Sequence, residues 1–436
     1  MPSPETLTEL SNPARANAER RKVASATLVG TTIEWFDFFI YAQAAGLIFA
    51  KEFFAAASEF AQIVSWVSLG ISFLFRPVGA ALAGHLGDKY GRKPVLTLTL
   101  IVMGVATALI GVLPTAAQIG VAAPILLLLL RIVQGLSAGG EWGGAALMAV
   151  EHAPRESRGR AGAYPQLGAP CGLALATIVS LVLNMALGHE AYVAWGWRIP
   201  FLLSLLLVAV GLWIRSRVEE SPVYREIEKE SKAESAPVKT VLRHNGGTVL
   251  LAALIFAANN AAGYMLIAFF GSYGIKTLGL DSTPVLASLA AAAILWAVLT
   301  LWSGGLSDRL GRVETFLVGY ALLFIAVIPT WRLINTAELP LFFLGVVLMT
   351  PGLALSYGPQ SALYAEMFPR PIRFSGVSIS YALGAILGGA FAPMIAEFTL
   401  GEGSVITLPG YLMGMTAVAA AALLWVRKRV PLQDEL

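Results

Sequence analysis

The chain has 436 residues, 57% of them apolar and only 13% charged, with a mean hydropathy of +0.71. Soluble domains carry about 25% charged residues, so a globule of this composition could not cover its surface, and coiled-coil, collagen-like and disordered chains fail on the same figures. What remains is a membrane-embedded body; the single cysteine, Cys171, excludes a disulfide framework and a thiolate metal cluster, and the net charge of +3 says little until its distribution is read.

In chain order, a polar stretch at 1–22 is followed by twelve apolar runs long enough to span a bilayer. They fall at about 23–49, 61–83, 95–113, 121–150, 161–187, 196–214, 247–275, 284–306, 315–333, 340–364, 374–400 and 405–426. The runs are continuously apolar rather than alternating, which excludes a β-barrel. The polar stretch holds no apolar segment ahead of a cleavage site, so the first span is expected to act as an uncleaved insertion signal. Basic residues concentrate on the cytoplasmic face of membrane proteins. With twelve spans, 24 of the 30 Lys and Arg share a side with both termini, four (Lys51, Arg198, Lys276, Arg332) face the other way, and two (Arg76, Arg131) lie inside spans. Both termini are therefore predicted to be cytoplasmic.

The chain repeats itself. Gly84-His-Leu-Gly-Asp-Lys-Tyr-Gly-Arg92 is matched in the second half by Gly304-Gly-Leu-Ser-Asp-Arg-Leu-Gly-Arg312. Glu151-x-x-Pro-Arg155-x-x-Arg158 is matched there by Glu366-x-x-Pro-Arg370-x-x-Arg373. Two matches at nearly one offset, close to half the chain, predict an all-α membrane protein of twelve transmembrane helices in two pseudo-symmetric six-helix bundles, 23–214 and 247–427. These are joined by a cytoplasmic linker at 215–246 and flanked by cytoplasmic tails at 1–22 and 428–436, the parallel-repeat plan of many secondary transporters.

Ionisable groups at bilayer depth cost about 2.5–3.5 kcal/mol each on insertion scales and default to functional hypotheses. Five are predicted there: Glu34 and Asp37 in the first span, Arg76 in the second, Arg131 and Glu141 in the fourth. Glu34 and Asp37 are three apart on one helix face, with Tyr41 a turn beyond, and they lie roughly 18 and 22 Å from Lys22 at 1.5 Å per residue. Arg76 is about 18 Å deep and Arg131 about 30 Å, nearer the outer mouth. A buried ion-pair network that only fixes packing is the plain alternative, although such pairs stabilise weakly. The four histidines all fall in loops or at span ends. Proton coupling would then rest on a carboxylate held between desolvation and an arginine partner. Three acids against two bases leave one carboxylate over, which suits a one-proton carrier and nearly as well a cation site; Asp37, Glu34, Glu141 and Arg131 are the candidates.

Spans 4, 5 and 11 carry helix-breaking residues: Gly135, Gly139, Gly140, Gly143 and Gly144; Pro165 and Pro170; Gly384, Gly388, Gly389 and Pro393. Close packing accounts for small residues and bends for prolines. Polar residues on the spans are candidates to line a central solute cavity: Gln134, Tyr164, Gln166, Asn259, Asn260, Tyr264, Tyr357, Gln360 and Tyr381, with Tyr41, Arg76 and Arg131. Trp195, Trp197, Trp213, Trp302, Trp331 and Trp425 fall near span ends and are expected to be interfacial anchors. No phosphate-binding loop of the G-x-x-x-x-G-K-[ST] type occurs, and no nucleophile, metal cluster or signalling domain is evident, so neither an ATP-driven pump nor an enzyme nor a receptor is expected.

At Gly84–Lys93 the sequence resembles the loop-2/3 signature of the major facilitator superfamily, and Arg131-x-x-Gln134-Gly135 is similar to that family's span-4 motif. Gly30–Tyr41 (GTTIEWFDFFIY), Phe75–Gly79 (FRPVG), Gly139–Ala145 (GGEWGGA), Trp195–Phe201 (WGWRIPF), Val218–Tyr224 (VEESPVY) and Glu366–Tyr381 (EMFPRPIRFSGVSISY) resemble its metabolite:proton symporter branch. The resemblance covers almost the whole chain. It implies proton-coupled uptake by alternating access, with shikimate, haloacids, 2-oxoglutarate, citrate, proline and betaine among the branch's substrates, and it implies that Asp37 and Arg131 face one another as the coupling pair. Two departures stand out: Val313 where the first motif copy has Lys93, and Ala382 where several members carry asparagine. The expected function is a symporter of a small organic acid in a bacterial-type inner membrane; a zwitterion symporter and an uncoupled facilitator are the alternatives. A functional monomer is expected, with a small organic solute, protons and the bilayer as partners and no cofactor, metal or nucleic acid. Gly84, Asp88, Gly91, Arg92, Glu151, Arg155, Arg158, Asp308, Arg312, Glu366, Arg370 and Arg373 are expected to gate the cytoplasmic side.

Overall fold

The computed structural model describes residues 13–90, 92–139, 141–151, 153–216, 238–369, 372–401 and 407–432. Among these every regular element is helical and no strand occurs. Ten helices are long and apolar enough to cross a membrane, and the pair His189–Gly196 and Arg198–Ile214, bent by 61°, makes eleven. The run expected at 95–113 corresponds to a shorter apolar stretch, Thr97–Val112. Outward faces carry Met185, Leu206, Val298 and Ile325, each more than 60% exposed, an apolar surface of the kind that lipid rather than water accommodates.

Four helices position the site: α1 (Pro13–Ala44), α2 (Ala61–Tyr90), α3 (Arg92–Val112) and α4 (Ala122–Ala138). Glycines set the distance between α2 and α4. A Cβ on Gly135 would come within 2.1 Å of the Ser72 carbonyl, one on Gly139 within 2.1 Å of the Arg76 carbonyl, and one on Gly79 within 2.1 Å of the Leu136 carbonyl. Gly135 and Gly139 have the small-xxx-small spacing that lets backbones meet in a membrane. That close contact brings Arg131, a turn before Gly135, onto α2, so the arginine does not stand apart near the outer mouth. In the same way Gly388 lies against the carbonyl of Ala257 and Gly384 against that of Ala253. Gly135, Gly139, Gly384 and Gly388 thus sit at helix contacts, and Gly140 lies outside the described residues.

The repeat extends to backbone geometry. The π-helical turns Ala45–Phe49 and Met265–Phe269 stand at the same offset as the Gly84 and Gly304 motifs, and each follows a long helix, α1 in one case and Val238–Tyr264 in the other. Such wide turns are rare and mark special sites. The tenth apolar run is broken: Thr350–Leu355 stops, a turn occupies 356–359, and Gln360–Met367 resumes. Irregular backbone at membrane depth is tolerated where protein or a cavity satisfies it. Helices of residues 13–216 pack chiefly on one another, as do those of 238–432. Between the two sets, 158–187 meets 282–310, α2 meets 373–388, and α1 meets 265–269.

Trp195, Trp213, Trp302 and Trp425 face outward, about half or more exposed. Trp197 and Trp331 do not: Trp197 packs among Phe49, Phe53 and Phe201, and Trp331 stacks on Tyr273. A position near a span end does not say which face of the helix a residue occupies.

Candidate functional site

Two buried charge systems flank the interface between the first and second halves of the chain. The first lies within the first half. Asp37 is buried, and its carboxylate accepts hydrogen bonds from Ser204 (2.6 Å) and Thr107 (2.9 Å). Gln134 Nε2 donates to Thr107 Oγ1 at 2.7 Å, and Arg131 Nη1 donates to Gln134 Oε1 at 2.7 Å. The rest of the Arg131 guanidinium is used by the Ser68 and Leu69 carbonyls and the Ser72 hydroxyl. It also lies 3.8 Å from the Tyr41 ring centroid, and the Tyr41 hydroxyl bonds Ser68. Asp37 and Arg131 therefore do not face one another directly: two neutral side chains stand between them. Arg131, Gln134 and Tyr41 have their hydrogen-bonding groups engaged inside the bundle and are not among the residues that line the cavity described below. Glu141 accepts from Thr99 on α3.

The second system faces the other half. Arg76 Nη2 is 3.8 Å from Glu34 Oε1, both side chains being buried. The Arg76 guanidinium lies over Phe38 at 4.3 Å, Phe73 at 4.7 Å and Trp35 at 5.5 Å, the cation–π contact an apolar site offers a cation. Its Nε and Nη2 have no hydrogen-bond partner among the described residues. Although only three residues apart, Glu34 and Asp37 turn to different neighbours: Glu34 to α2, Asp37 to Thr107 of α3 and Ser204.

A small cavity of about 10 Å³ is lined by Trp35, Phe39, Ala169, Phe256, Asn259, Asn260, Gly263, Tyr264, Ile267, Trp296 and Tyr357, and the Arg76 guanidinium packs over its Trp35 wall. Solute sites usually measure ~300–1,000 Å³, so the cavity as it stands must open to take a solute. Of the residues expected at a solute cavity, Asn259, Asn260, Tyr264 and Tyr357 line it. Trp35, Phe39, Phe256 and Trp296 were not anticipated; two tryptophans far from any span end were the available signal. The indole N–H groups of Trp35 and Trp296 and the Tyr264 hydroxyl have no partner among the described residues. Asn259 is committed to Leu353 O and Ser356 Oγ, and Asn260 bonds Ala385 O.

Gln166, Gln360 and Tyr381 form the floor instead. Tyr381 lies flat between Trp142 (3.7 Å, 9°) and Phe256 (4.5 Å, 16°). Trp142 donates to Gln166, which donates to the Tyr357 carbonyl and to Gln360. Tyr164 is half-buried on the neighbouring turn. Beyond this floor lies a latch. Asp308 accepts the backbone N–H groups of Gly159 (2.8 Å) and Arg160 (2.9 Å), at the start of a helix in the other half, where a carboxylate is favoured. Arg312 holds Asp308 (2.7 Å) and Glu366 (3.3 Å), and Arg373 reaches Glu151 across the halves at 3.5 Å. Arg155 is exposed and Arg158 half-buried beside them. Gly91 and Arg370, and the side chains of Asp88 and Arg92 around Gly84, lie outside the described residues.

The opposite end is bridged as well. Trp66 Nε1 donates to Glu397 (3.3 Å), Ser272 to the Gly46 carbonyl (2.8 Å), Lys276 to Gln62 (3.0 Å), and Asn184 to Ser282 (3.0 Å). With both ends joined, the cavity is occluded. Glycines permit each closure. A Cβ on Gly159 would meet Ser307 Oγ at 2.3 Å and the Gly304 carbonyl at 2.5 Å, and one on Gly70 the Ala390 carbonyl at 2.5 Å. Overpacking costs about 1–3 kcal/mol, which is roughly a tenfold population shift. Gly159→Ala should therefore expose a cysteine at Ser307 to maleimide and protect one at Ser272, and Gly70→Ala should do the reverse. Equal labelling of both cysteines in both variants would contradict this.

Comparison with known proteins agrees with this architecture. The family model "Major Facilitator Superfamily" matches residues 27–379. The inner membrane metabolite transport protein YhjE of Escherichia coli (strain K12) is 37% identical over 92% of this chain and 93% of its own length. The shikimate transporter of the same organism is 34% identical over 86% and 87%. Transporters named for proline, betaine or ectoine match at 31–34% identity. The solved proton:xylose symporter XylE superposes with a TM-score of 0.75 at 16% identity, over 96% of this chain and 98% of that one. These curated relatives are membrane transporters rather than enzymes, and with the apolar spans they make this a multi-pass protein of the bacterial inner membrane. The chain belongs to the Major Facilitator Superfamily and is one of its transporters.

Proposed function

We propose that this transporter is a proton-coupled symporter importing a small organic acid by alternating access. In this reading Arg92–Val112 is the third of twelve spans, the two halves are six-helix bundles, both termini are cytoplasmic, the Asp308 latch closes the cytoplasmic side, and the monomer is the working unit. Asp37 carries the proton, and Arg76 with the unpartnered donors of Trp35, Trp296 and Tyr264 receives a carboxylate. The observation that carries the reading is Arg76: a buried guanidinium over the Trp35 wall of an occluded cavity, ion-paired with Glu34 but making no hydrogen bond through Nε or Nη2, suited to bidentate carboxylate recognition. Relatives that include a shikimate transporter support an acid.

A zwitterion is the second reading. The ring faces of Trp35, Phe39, Tyr264, Trp296 and Tyr357 would suit a quaternary ammonium, with Glu34 as counter-charge, and betaine and proline transporters are among the relatives. Proteoliposomes decide. With an imposed pH gradient, a symporter accumulates solute above equilibrium and an uncoupled facilitator only equilibrates it. Shikimate, lactate, 2-chloropropionate or benzoate should be accumulated and should compete with one another, while betaine and proline should not compete. Betaine outcompeting every acid would select the zwitterion.

A further inference from the structure

Thr107 is in an unusual position for a hydroxyl on an apolar helix. Its Oγ1 has two acceptors at the same distance, Asp37 Oδ2 and the Met103 carbonyl of its own helix, both at 2.9 Å. A hydroxyl has one hydrogen to give and lone pairs to receive with, so it serves one acceptor at a time. It also accepts from Gln134 Nε2 at 2.7 Å. Beyond Gln134 stands Arg131, fully buried, whose guanidinium meets only neutral groups among the described residues. A buried charge without a counter-charge in contact is costly. Asp37, linked through Gln134 and Thr107, is the carboxylate wired to it.

We propose that Thr107 is the positioning residue that lets Asp37 change its charge without breaking this chain, and that it thereby ties proton binding at Asp37 to Arg131. The proposal rests on the reading that Asp37 carries the transported proton. With Asp37 charged, the Thr107 hydrogen points to Oδ2. When a proton from solvent binds Oδ2, the new O–H donates to Thr107 Oγ1 and the threonine hydrogen turns to the Met103 carbonyl. No other bond changes, and Gln134 keeps its acceptor in both states. What changes is the charge at the end of the wire: once Asp37 is neutral, Arg131 loses its linked counter-charge and the occluded arrangement loses part of its stabilisation. A side chain without the hydroxyl breaks the link in both states and leaves Gln134 Nε2 unsatisfied.

The test uses the full-length protein in proteoliposomes with the radiolabelled acid of the panel above that the unmodified protein accumulates. Thr107→Val and Thr107→Ala should lower gradient-driven accumulation by roughly tenfold, the scale of one lost hydrogen bond to a charged group. Counterflow exchange, which needs no net proton movement, should stay within about twofold. Thr107→Ser should restore accumulation, because it returns the hydroxyl. Should Thr107→Val fail to reach the membrane, Thr107→Ala asks the same question with less volume. Accumulation at the unmodified level in the alanine variant, a serine variant as impaired as the alanine one, or counterflow falling in step with accumulation would each overturn the proposal. Asp37→Asn separates the two claims: if that variant still accumulates the acid, the reading of Asp37 fails; if it does not while Thr107→Ala does, only the role of Thr107 fails.

Discussion

Asp37→Asn is expected to abolish accumulation driven by a pH gradient and to leave counterflow exchange in place. The substitution keeps the shape of the side chain and removes only its capacity to bind and release a proton. Its new neighbours tolerate it, because Ser204 and Thr107 both present hydroxyls that can accept from an amide as readily as they donate to a carboxylate. The fold therefore has no reason to fail. Net symport requires a group that is charged on one side of the cycle and neutral on the other, whereas exchange moves the loaded carrier back and forth without discharging it. Parallel measurement of the two fluxes in one preparation checks this. Undiminished accumulation in Asp37→Asn would remove Asp37 from the coupling step, and loss of both fluxes together would mean that the residue serves folding or binding.

The gross architecture was legible because a bilayer imposes rules that composition alone reveals. Runs of about twenty apolar residues have few other destinations, and duplication leaves a mark in short charged motifs whose loops must turn alike. The same offset reappears in the π-helical turns at Ala45 and Met265, which no residue type announces. The break at 356–359 was also hidden. Gly358-Pro359 lies inside the tenth apolar run, 340–364, read as continuous, and the packing of Tyr357 against Trp296 and Phe256 makes the break a cavity wall.

The site was legible in its charges and illegible in its partners. Glu34, Asp37, Arg76 and Arg131 stand out because ions at depth are rare. Which of them meet depends on helix rotation and on glycines such as Gly135 and Gly139, so spacing along α1 suggested one face for Glu34 and Asp37 where the structure divides them between two systems. Thr107 and Ser204 were invisible for a different reason. Serine and threonine in these helices mostly bond a carbonyl one turn back, as Thr31 does with Thr27 and Ser380 with Gly376. A hydroxyl that also serves a carboxylate looks the same in sequence. The latch mixes both cases: Asp308 was expected to gate, but its partners across the halves are backbone N–H groups of Gly159 and Arg160, which carry no side-chain signature.

Arg76→Lys is expected to weaken competition by monocarboxylates about tenfold or more, by about 1.5–3 kcal/mol, the value of a hydrogen bond to a charged group. The lysine keeps a positive charge near Glu34, so the buried pair survives and folding is spared the penalty of a lone carboxylate. What is lost is the planar fork. An ammonium is a compact, strongly hydrated point charge that cannot present two parallel N–H groups to one carboxylate, nor lie flat on Phe38 and Phe73 as the guanidinium does. The same exchange at Arg131 should act differently. That guanidinium is fixed by the Ser68, Leu69, Ser72 and Gln134 side of its pocket, so Arg131→Lys should slow transport of every substrate without altering the order in which competitors rank. Competition curves for shikimate, lactate, benzoate and betaine on both variants measure this directly. If the order of competitors changes in Arg131→Lys and holds in Arg76→Lys, the carboxylate is read at the first site and not at the cavity.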